Sequence, residues 1–470
     1  MTSAFIEQFI KHSEKDLIIC PDGRRFTYSQ LWGNARKLSE NWGKDGLKQG
    51  QAVAIMISNC LEFICCYLAC YIGGFIAVPV NVELGEHEIT HILNVSQVHL
   101  IVDEPPAIDD RTTSDNDYNS KTNENSMFAI FFTSGSTGLP KGVRHRFSSL
   151  VGNVISFNSL TALDEEIRLY HILPMAYMAG FLNSILVPIM AGGTVVLGPR
   201  FSPRTALNFW AKPLNEAVNT LWISPSIAAA LCRTSRDITL AQKACSNIKN
   251  IFCGMAPLPS SLRETFLTKF GVHLQESYGT SESLLISAQT LEQARTELNS
   301  GSLLAEIKYE NRPNEDGQLE FHIHSPFSMD SYLTENGILA LQSLNGFIPT
   351  GDIADVIDGC LTIKGRIKDL IIRGGVNVSP IAIENIFTGL NGVRDVAVVG
   401  LPDDFWGELI VLCIEGTDGF DTEDLIKEIR RIAKERLGHS QRPDRIEFMK
   451  SFPRTANGKI RKNILRKELF

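Results

Sequence analysis

The chain has 470 residues, enough for more than one domain at roughly 100–200 residues per domain. Its formal charge of −8 argues against nucleic-acid binding by the chain as a whole, because phosphate backbones select basic surfaces. Hydrophobic residues make up 44% and charged residues 21%, which excludes a largely disordered chain. Ten cysteines without a CxxC pair fit a reducing compartment, so we expect a cytoplasmic protein.

The first hundred residues alternate helical and strand patterns. The predicted helices cover residues 28–42 and 61–72, and the predicted strands cover 53–56, 76–80 and 100–102. Strands that alternate with helices indicate a parallel α/β sheet. The chain begins without a basic segment followed by an apolar block, so we expect no secretory signal.

Residues 63–80 form an uncharged apolar stretch that approaches the length of a membrane span. Gly73, Gly74 and Pro79 divide this stretch into a helical part and a short strand. We therefore predict a buried helix followed by a buried strand, and no membrane span. The cluster of four cysteines in this region is predicted to act as small buried hydrophobic side chains. Its members are Cys60, Cys65, Cys66 and Cys70.

Polar segments divide the rest of the chain. Residues 104–126 are predicted to form an exposed loop, residues 311–317 a turn before an alternating strand, and residues 346–352 another loop. The composition changes after Arg366. Residues 421–470 hold 14 Lys and Arg against 8 Asp and Glu, a charge of +6, which leaves −14 on the other 420 residues. This contrast indicates a small basic C-terminal unit attached to a large acidic body.

An apolar strand leads directly into a loop rich in glycine and hydroxyl groups, and residues 128–143 read FAIFFTSGSTGLPKGV. Glycines let successive backbone N–H groups converge on one anion, while hydroxyls add donors and a lysine adds charge. The spacing differs from that of a Walker A loop. These residues predict a loop that binds phosphate groups. Its members are Thr133, Ser134, Gly135, Ser136, Thr137, Gly138 and Lys141.

The segment TSGSTGLPKG resembles the nucleotide-loop signature of the adenylate-forming enzymes, which include acyl- and aryl-CoA synthetases, nonribosomal peptide synthetase adenylation domains and luciferases. Five further segments are similar to signatures of that family, occur in the same order and extend over nearly the whole chain. They are YGTSE at 278–282, TGD at 350–352, GRIKD at 365–369, RGGVN at 373–377 and PRTANGK at 453–459.

The resemblance implies an α/β fold with a large N-terminal body of α/β subdomains, residues 1–367, and a small mobile α+β C-terminal lid, residues 368–470. It also implies a two-step reaction. A small carboxylic acid attacks the α-phosphate of Mg·ATP, and a thiol then displaces AMP from the acyl-adenylate. The implied cofactors are ATP, Mg²⁺ and CoA or phosphopantetheine. Cationic groups and N–H donors must offset the charge of the anions that meet.

The family roles imply a set of site residues. Tyr278 would stack on adenine, and Asp352 would accept both ribose hydroxyls with the help of Arg366. Glu282 would bind Mg²⁺, a cation that prefers oxygen, and Lys459 would bridge the carboxylate and the α-phosphate. The implied nucleotide residues outside the phosphate-binding loop are Gly254, Met255, Ala256, Pro257, Tyr278, Gly279, Asp352 and Arg366, and the implied catalytic residues are Thr280, Ser281, Glu282 and Lys459.

The same resemblance places a hinge at Lys368, about which the C-terminal unit rotates between the two half-reactions. Gly374 and Gly375 would then line a tunnel for pantetheine, since glycine permits close backbone approach. The basic C-terminal charge fits docking of CoA phosphates or of an acidic carrier protein. It equally fits a solvated helix face.

Three residues of the implied acid pocket depart from the family pattern. Tyr177 stands where a gating histidine is common, and a tyrosine does not titrate near neutral pH. Met255 replaces a glycine, so we expect a short or narrow pocket. Met178 stands where enzymes that activate amino acids carry an aspartate, which disfavours an α-amino acid, although Glu276 could substitute.

Three alternatives stay open. Residues 87–91 read HEITH, the HExxH pattern of zinc proteases, but no third ligand stands in a matching context and the segment also fits a helix of the family. The acceptor thiol could belong to a phosphopantetheine carrier protein instead of CoA; the GGVNVSP segment favours CoA. The altered pocket residues also leave room for a nucleotide-binding scaffold without catalysis.

Overall fold

The computed structural model of the chain describes residues 3–123, 125–133, 140–314, 317–341, 343, 345–374, 376–417, 421–454 and 460–469. Strands and helices alternate through these ranges, and the predicted α/β class is confirmed. No helix within them combines the length and the apolar character needed to cross a membrane.

The strands are β1 (Asp16–Ile19), β2 (Arg25–Thr27), β3 (Ala52–Ile55), β4 (Ile76–Pro79), β5 (Val98–Val102), β6 (Met127–Thr133), β7 (Lys141–Arg146), β8 (Arg168–His171), β9 (Thr194–Leu197), β10 (Thr220–Ile223), β11 (Asn250–Cys253), β12 (Gln275–Thr280), β13 (Leu284–Ala288), β14 (Ser302–Leu303), β15 (Lys308–Pro313), β16 (Leu319–His324), β17 (Ser331–Thr334), β18 (Gly337–Ala340), β19 (Ile348–Pro349), β20 (Asp352–Ile357), β21 (Cys360–Arg366), β22 (Ile371–Arg373), β23 (Val376–Val378), β24 (Val393–Asp403), β25 (Gly407–Gly416) and β26 (Arg445–Met449).

The α-helices are α1 (Ala4–Lys11), α2 (Tyr28–Lys44), α3 (Leu61–Gly73), α4 (Glu86–Val95), α5 (Phe147–Thr161), α6 (Val187–Ala191), α7 (Pro203–Ala206), α8 (Ala211–Asn215), α9 (Pro225–Thr234), α10 (Ile238–Cys245), α11 (Ser260–Phe270), α12 (Leu291–Thr296), α13 (Pro380–Phe387), α14 (Thr422–Arg436) and α15 (Lys462–Leu469). A π-helical segment covers Ala179–Leu186, and short 3₁₀ turns cover Ile367–Asp369 and His439–Gln441.

Two large sheets carry the predicted site. In the first, eleven strands follow the order β2-β1-β9-β8-β10-β11-β12-β13-β14-β21-β20. Strands β1, β9, β8, β10, β11 and β12 run parallel to one another, whereas the pair β2–β1 and the pairs after β12 are antiparallel. The second sheet has seven strands in the order β18-β17-β7-β6-β4-β3-β5. Side chains at the ends of β6, β11, β12 and β21 and at the start of β20 supply the predicted site.

The apolar stretch at 63–80 behaves as predicted. It forms most of helix α3 and then strand β4. Every residue of α3 except Glu62 is buried. Gly74 ends the helix with φ +69, a left-handed conformation that glycine adopts without strain. Cys65, Cys66 and Cys70 are buried and Cys60 is half-buried, so these thiols pack as small hydrophobic groups. All ten cysteines are free.

The loop at 104–126 is not the simply exposed segment that its polar composition predicts. Ser114 is buried, and the indole of Trp32 donates to the carbonyl of Asp117 at 3.0 Å. A Cβ on Gly33 of α2 would lie 2.2 Å from the carbonyl oxygen of Thr113. Part of this loop therefore crosses closely over α2, a long-range contact that local composition does not encode.

Two predicted turns are shorter than the sequence indicates. Residues 311–313 belong to β15, which pairs with β16 at the edge of a three-stranded sheet, and an edge strand tolerates Pro313. Within the predicted loop at 346–352, residues Ile348–Pro349 form β19, and Asp352 already begins β20. In both places, pairing with a strand that is distant in sequence extends the regular structure.

The C-terminal part has its own sheet, in which β23, β22, β25 and β24 are neighbours and β26 pairs with β25. Its buried apolar side chains form two clusters that begin at Ile371, whereas the large cluster of the body ends at Leu361. The Ser261 hydroxyl donates to the carbonyl of Thr388 at 3.0 Å and joins α11 to this part. The boundary between 367 and 368 falls in this interval and stays a prediction.

Candidate active site

Tyr278, Asp352 and Arg366, which come from three separate motifs, meet in one hydrogen-bonded cluster. The Tyr278 hydroxyl donates to Oδ2 of Asp352 at 2.5 Å, and Nε of Arg366 lies 3.0 Å from Oδ1. Asp352 and Arg366 are directly opposite each other in the antiparallel pair β20–β21. The Asp352 side chain is 2% exposed, and charge-assisted bonds occupy both of its oxygens. Burial, followed by the Asp352 charge, raises the pKa of Tyr278.

The segment Gly254, Met255, Ala256 and Pro257 follows β11, the parallel neighbour of β12. It therefore lies beside the strand that carries Tyr278 and Gly279, as expected for adjacent parallel strands. A Cβ on Gly254 would lie 2.6 Å from the Ser277 hydroxyl, so this close approach requires glycine. The structure brings the predicted wall and Tyr278 together, and their contact with adenine stays a prediction.

Thr280 ends β12, and Ser281 and Glu282 begin the turn that leads to β13. The Thr280 hydroxyl accepts the N–H of Ser283 at 3.0 Å, and the Tyr332 hydroxyl donates to Oε1 of Glu282 at 2.9 Å. Tyr332 lies on β17 of the seven-stranded sheet, so this bond links the two large sheets. The sequence reasoning missed Tyr332, because no motif surrounds it.

The turn residues fit the implied Mg²⁺ ion. Tyr332 orients the half-buried carboxylate of Glu282, and hydroxyl oxygens stand in the same turn. Magnesium is usually held by one or two carboxylates together with substrate phosphates, so a single carboxylate suffices. Among the described residues, no group of three or more His, Cys, Asp and Glu side chains could hold a metal ion on its own.

A buried histidine supports the same turn. His145 of β7 is fully buried, and its Nε2 lies 2.8 Å from the carbonyl oxygen of Ser281. Burial lowers the pKa of His145 to about 4, so the ring is neutral at neutral pH. Because a carbonyl only accepts, Nε2 carries the hydrogen. In the sequence, Val143, His145 and Phe147 alternate with two arginines, a pattern that could have identified this inward-facing histidine.

The phosphate-binding loop joins β6 to β7. Thr133 and Lys141 are opposite each other at the end of this antiparallel pair, and both are half-buried. The two strands thus hold the base of the loop at a fixed width. Ser134, Gly135, Ser136, Thr137 and Gly138 lie outside the described residues, as do Gly375 and Lys459, so their predicted roles stay predictions.

The predicted acid pocket, the acid side of the site, is built differently. Tyr177 and Met178 precede the π-helical segment, and the Asn81 amide donates to the Tyr177 hydroxyl at 3.0 Å. Burial raises the pKa of Tyr177. Met178 and Met255 are half-buried against the same apolar core. Met255 has φ +70, the left-handed conformation that a residue with a Cβ rarely adopts.

Glu276 already has other partners. Its Oε2 lies 2.9 Å from the Arg263 guanidinium, and the Ser300 hydroxyl donates to Oε1 at 2.6 Å. Burial raises the pKa of Glu276. Its carboxylate is therefore part of a buried structural network and does not take the place of the missing aspartate at position 178.

The predicted hinge and tunnel residues lie where the body leads into the C-terminal sheet. Lys368 is exposed in the 3₁₀ turn Ile367–Asp369, which directly follows β21. Gly374 has φ +58, and a Cβ there would lie 3.1 Å from the Trp406 ring. The Arg373 guanidinium lies 4.4 Å from the centre of that ring and binds both oxygens of Asp444.

The HExxH segment forms the first turns of α4, with His87 exposed. Nε2 of His91 lies 3.0 Å from the carbonyl oxygen of Pro140, at the end of the phosphate-binding loop. Oε2 of Glu88 accepts the N–H of Gly85 at 3.3 Å. His91 and Glu88 thus both have protein partners.

Comparisons with known proteins identify a family and relatives that cover most of the chain. Residues 5–319 match the family described as AMP-binding enzyme, and residues 382–459 match its C-terminal domain. The chain is 28% identical to the long-chain-fatty-acid–CoA ligase FadD13 of Mycobacterium tuberculosis, over 94% of this chain and 93% of that protein. It is 26% identical to the feruloyl-CoA synthase of an Amycolatopsis species, over 95% and 94%. The fold superimposes on ATP-bound MatB from Rhodopseudomonas palustris with a TM-score of 0.87 at 21% identity, covering 99% and 98% of the two chains.

Proposed function

The chain belongs to the AMP-binding enzyme family, and on that premise we propose that it joins a small carboxylic acid to CoA while ATP is converted to AMP and pyrophosphate. The chain is thus an AMP-forming acid–thiol ligase. The observation that carries the proposal is the Tyr278–Asp352–Arg366 cluster, in which a buried carboxylate is held ready between partners from distant motifs. Relatives that cover almost the whole chain are named as CoA ligases, which supports the same reaction.

In the first half-reaction, a carboxylate oxygen of the acid bonds to the α-phosphorus and the bond to pyrophosphate breaks. We assign Thr280 and Ser281 to the α-phosphate, and the loop from Thr133 to Lys141 to the β- and γ-phosphates. Asp352 would accept the ribose hydroxyls. Glu282 would hold Mg²⁺, which would offset phosphate charge when bound.

In the second half-reaction, the CoA sulfur bonds to the carbonyl carbon and AMP leaves with the oxygen that the acid contributed. We assign Lys459 to the first step, in which its point charge would lie between the carboxylate and the α-phosphate. The C-terminal part would then rotate about Lys368 and bring Gly374 and Gly375 to the pantetheine. In this proposal, residues 1–367 are the body and residues 368–470 are the lid.

The charge of the C-terminal segment does not itself select the acceptor. Although residues 421–470 carry +6, many of their basic side chains are already in ion pairs with acidic residues of the same part. These side chains are Lys427, Arg431, Arg445, Arg454, Lys462 and Arg466. The preference for CoA over an acidic carrier protein therefore depends on the CoA ligase relatives and on the glycine loop at 373–377.

Acid-dependent release of pyrophosphate from Mg·ATP tests the proposal. The panel contains short aliphatic, aryl and amino acids, each with and without CoA. We expect release with a small aliphatic or aryl acid, stimulated by CoA, with a thioester as product. Release that requires an acid but ignores CoA would indicate a carrier protein. ATP binding without release for any acid would indicate a scaffold without catalysis.

The Lys459→Ala variant tests the division of labour between the half-reactions. We expect it to abolish adenylation, while thioester formation from a supplied acyl-adenylate and CoA continues at the wild-type rate. Equal loss of both half-reactions would contradict the role of Lys459.

A further inference from the structure

Helix α4 packs against the sheet that carries the phosphate-binding loop. Its Ile92 is buried in one apolar cluster with Phe132, the residue before Thr133. Its neighbour His91 reaches the other end of the loop, where Nε2 lies 3.0 Å from the carbonyl oxygen of Pro140. One helix therefore contacts the chain just before the loop begins and again where it ends.

The direction of the His91 bond follows from the chemistry of its partner. A carbonyl oxygen only accepts, so Nε2 carries the hydrogen and donates. Pro140 has no backbone N–H, and its carbonyl is thus the only polar backbone group through which it can be held. The next residue, Lys141, already pairs with Thr133 across the hairpin. The His91 bond thus fixes the loop immediately before the hairpin.

The same kind of bond recurs at two other segments of the site. Nε2 of His145 lies 2.8 Å from the carbonyl oxygen of Ser281, and Nε2 of His171 lies 3.0 Å from that of Gly180. Ser281 belongs to the turn assigned to the α-phosphate, and Gly180 to the π-helical segment on the acid side. A histidine therefore holds one carbonyl in each of three segments that surround the site.

The other histidine of the HExxH segment provides a comparison within the same helix. His87 is exposed one turn before His91, whereas His91 is half-buried and bonded. The two residues share their type and their helix and differ in contact with the loop. Removal of the His87 ring therefore shows the effect of replacing a histidine in this helix, and removal of the His91 ring shows the additional effect of losing the bond to Pro140.

We propose that His91 is a positioning residue: by holding the carbonyl of Pro140 it fixes the described end of the phosphate-binding loop, and this favours binding of the β- and γ-phosphates of ATP. It acts through the Pro140 carbonyl and does not touch the nucleotide. Without this bond, binding of Mg·ATP would have to fix Pro140 as well, and that ordering would weaken affinity. The inference rests on the proposed function, because it assumes that the loop binds ATP.

The test compares His91→Ala, His91→Gln and His91→Asn with the control His87→Ala. A glutamine amide can place an N–H near the position of Nε2, whereas the shorter asparagine cannot reach it. For each protein, calorimetry gives the Kd for Mg·ATP without acid, and pyrophosphate release gives KM and kcat. Thioester formation from a supplied acyl-adenylate serves as an internal control, because that substrate has no β- or γ-phosphate.

We expect His91→Ala and His91→Asn to raise the Kd and KM for Mg·ATP roughly 3- to 10-fold, the effect of losing about one hydrogen bond. His91→Gln should stay within about 2-fold of wild type. His87→Ala should leave every constant unchanged, and all four variants should form thioester from acyl-adenylate at the wild-type rate.

Three results would overturn the role of His91: an unchanged Kd in His91→Ala, no rescue by glutamine, or an equal loss in the acyl-adenylate reaction. The proposed function fails separately, if wild-type protein binds Mg·ATP but releases no pyrophosphate with any acid. In that event the ratio of Kd values still decides the role of His91. A wild-type protein that does not bind Mg·ATP would overturn both.

Discussion

On the nucleotide side of the site, Asp352 is buried between the Tyr278 hydroxyl and the Arg366 guanidinium, and each contact involves a full charge. On the acid side, Tyr177 is held by one neutral hydrogen bond from Asn81, and Met255 lies in a left-handed conformation at φ +70. Charge-assisted bonds fix geometry more strongly than a neutral bond or a flexible methionine does.

This difference separates two tasks. ATP is the same substrate whichever acid is activated. Groups on the nucleotide side that are oriented before ATP binds therefore favour the reaction with every acid. In the proposed function the acid side would decide which acid enters, and we expect that a single side chain can change there without disturbing the charged cluster. We therefore expect substitutions on the nucleotide side to reduce catalysis with every acid, and substitutions on the acid side to change the preference among acids.

The largest effect should follow Asp352→Asn. The amide keeps the size of the side chain but removes the charge that partners Arg366 and one of the acceptors for ribose. We expect kcat/KM for ATP to fall at least ~100-fold, about 2.7 kcal/mol of transition-state stabilisation, for every acid. Steady-state kinetics measures the loss.

Asp355→Asn on the same strand provides the matched control. Asp355 pairs with Lys364 at the surface, and such exposed pairs contribute little, so we expect a change below about 2-fold. If kcat/KM for ATP fell less than about 5-fold in Asp352→Asn, or fell only with some acids, the result would contradict the distinction between the nucleotide side and the acid side.

Acid pH should affect both sides together. Burial lowers the pKa of His145 on the nucleotide side and of His171 on the acid side to about 4, from about 6.5 in the unfolded chain. The unfolded state thus binds more protons between those values, and the free energy of unfolding falls as pH drops from about 6.5 towards 4. Each histidine should contribute about 2–3 kcal/mol of this loss by pH 4.5.

Urea unfolding at pH 7 and pH 4.5 measures the effect. The carboxylates titrate in the same range, so the informative quantity is the difference between wild type and the variants His145→Gln and His171→Gln. Each variant should lose less stability on acidification than wild type does. An identical pH dependence in both variants would contradict the assignment.

We expect Met255→Gly to stabilise the folded protein. Glycine adopts φ +70 without strain, so the free energy of unfolding should rise by up to about 1 kcal/mol. The space left by the methionine side chain should raise kcat/KM for a larger acid roughly 10-fold relative to a small one. The acid panel and urea unfolding measure the two effects.

Met178→Ala separates the effect of removing a methionine side chain from the effect of relieving backbone strain. It also removes a half-buried methionine side chain, but Met178 has φ −49 and releases no strain, so stability should fall. An acid profile that stays unchanged in Met255→Gly would remove this residue from the pocket.

The smallest effect should follow Tyr177→Phe. The variant removes the hydroxyl that accepts from Asn81 and leaves a buried amide without that partner, at a cost of about 1 kcal/mol. We expect KM for the acid to rise about 2- to 5-fold while KM for ATP stays constant. Combining it with Asn81→Ala should add little, because the two residues share one bond. Full additivity in the double variant would contradict this coupling.

The sequence predicted the α/β class, the buried helix and strand at 63–80, and a set of motifs whose described members Tyr278, Asp352 and Arg366 meet in the structure. These predictions succeed because periodicity and glycine positions act locally, and because the motifs resemble those of one family. The sequence did not predict the residues that orient the site. Tyr332 and Asn81 belong to none of these motifs, and they reach Glu282 and Tyr177 only through strand order and long-range packing.

Local patterns also misjudged segments that distant parts of the chain organise. The loop at 104–126 is polar in composition, yet it packs across α2 at Gly33. The HEITH segment matched both the pattern of zinc proteases and a helix of the family; in the structure it lies in α4, and the ring of His91 is bonded to Pro140, almost fifty residues further along the chain.

Transfer of ¹⁸O from a labelled acid tests the two-step reaction most directly. The acid that gives the fastest pyrophosphate release is labelled in both carboxylate oxygens, and the products with Mg·ATP and CoA are analysed by mass spectrometry. If the carboxylate attacks the α-phosphorus and the thiol then attacks the carbonyl carbon, each AMP carries one ¹⁸O and the thioester retains the other. Unlabelled AMP, or ADP with labelled phosphate, would contradict an acyl-adenylate intermediate.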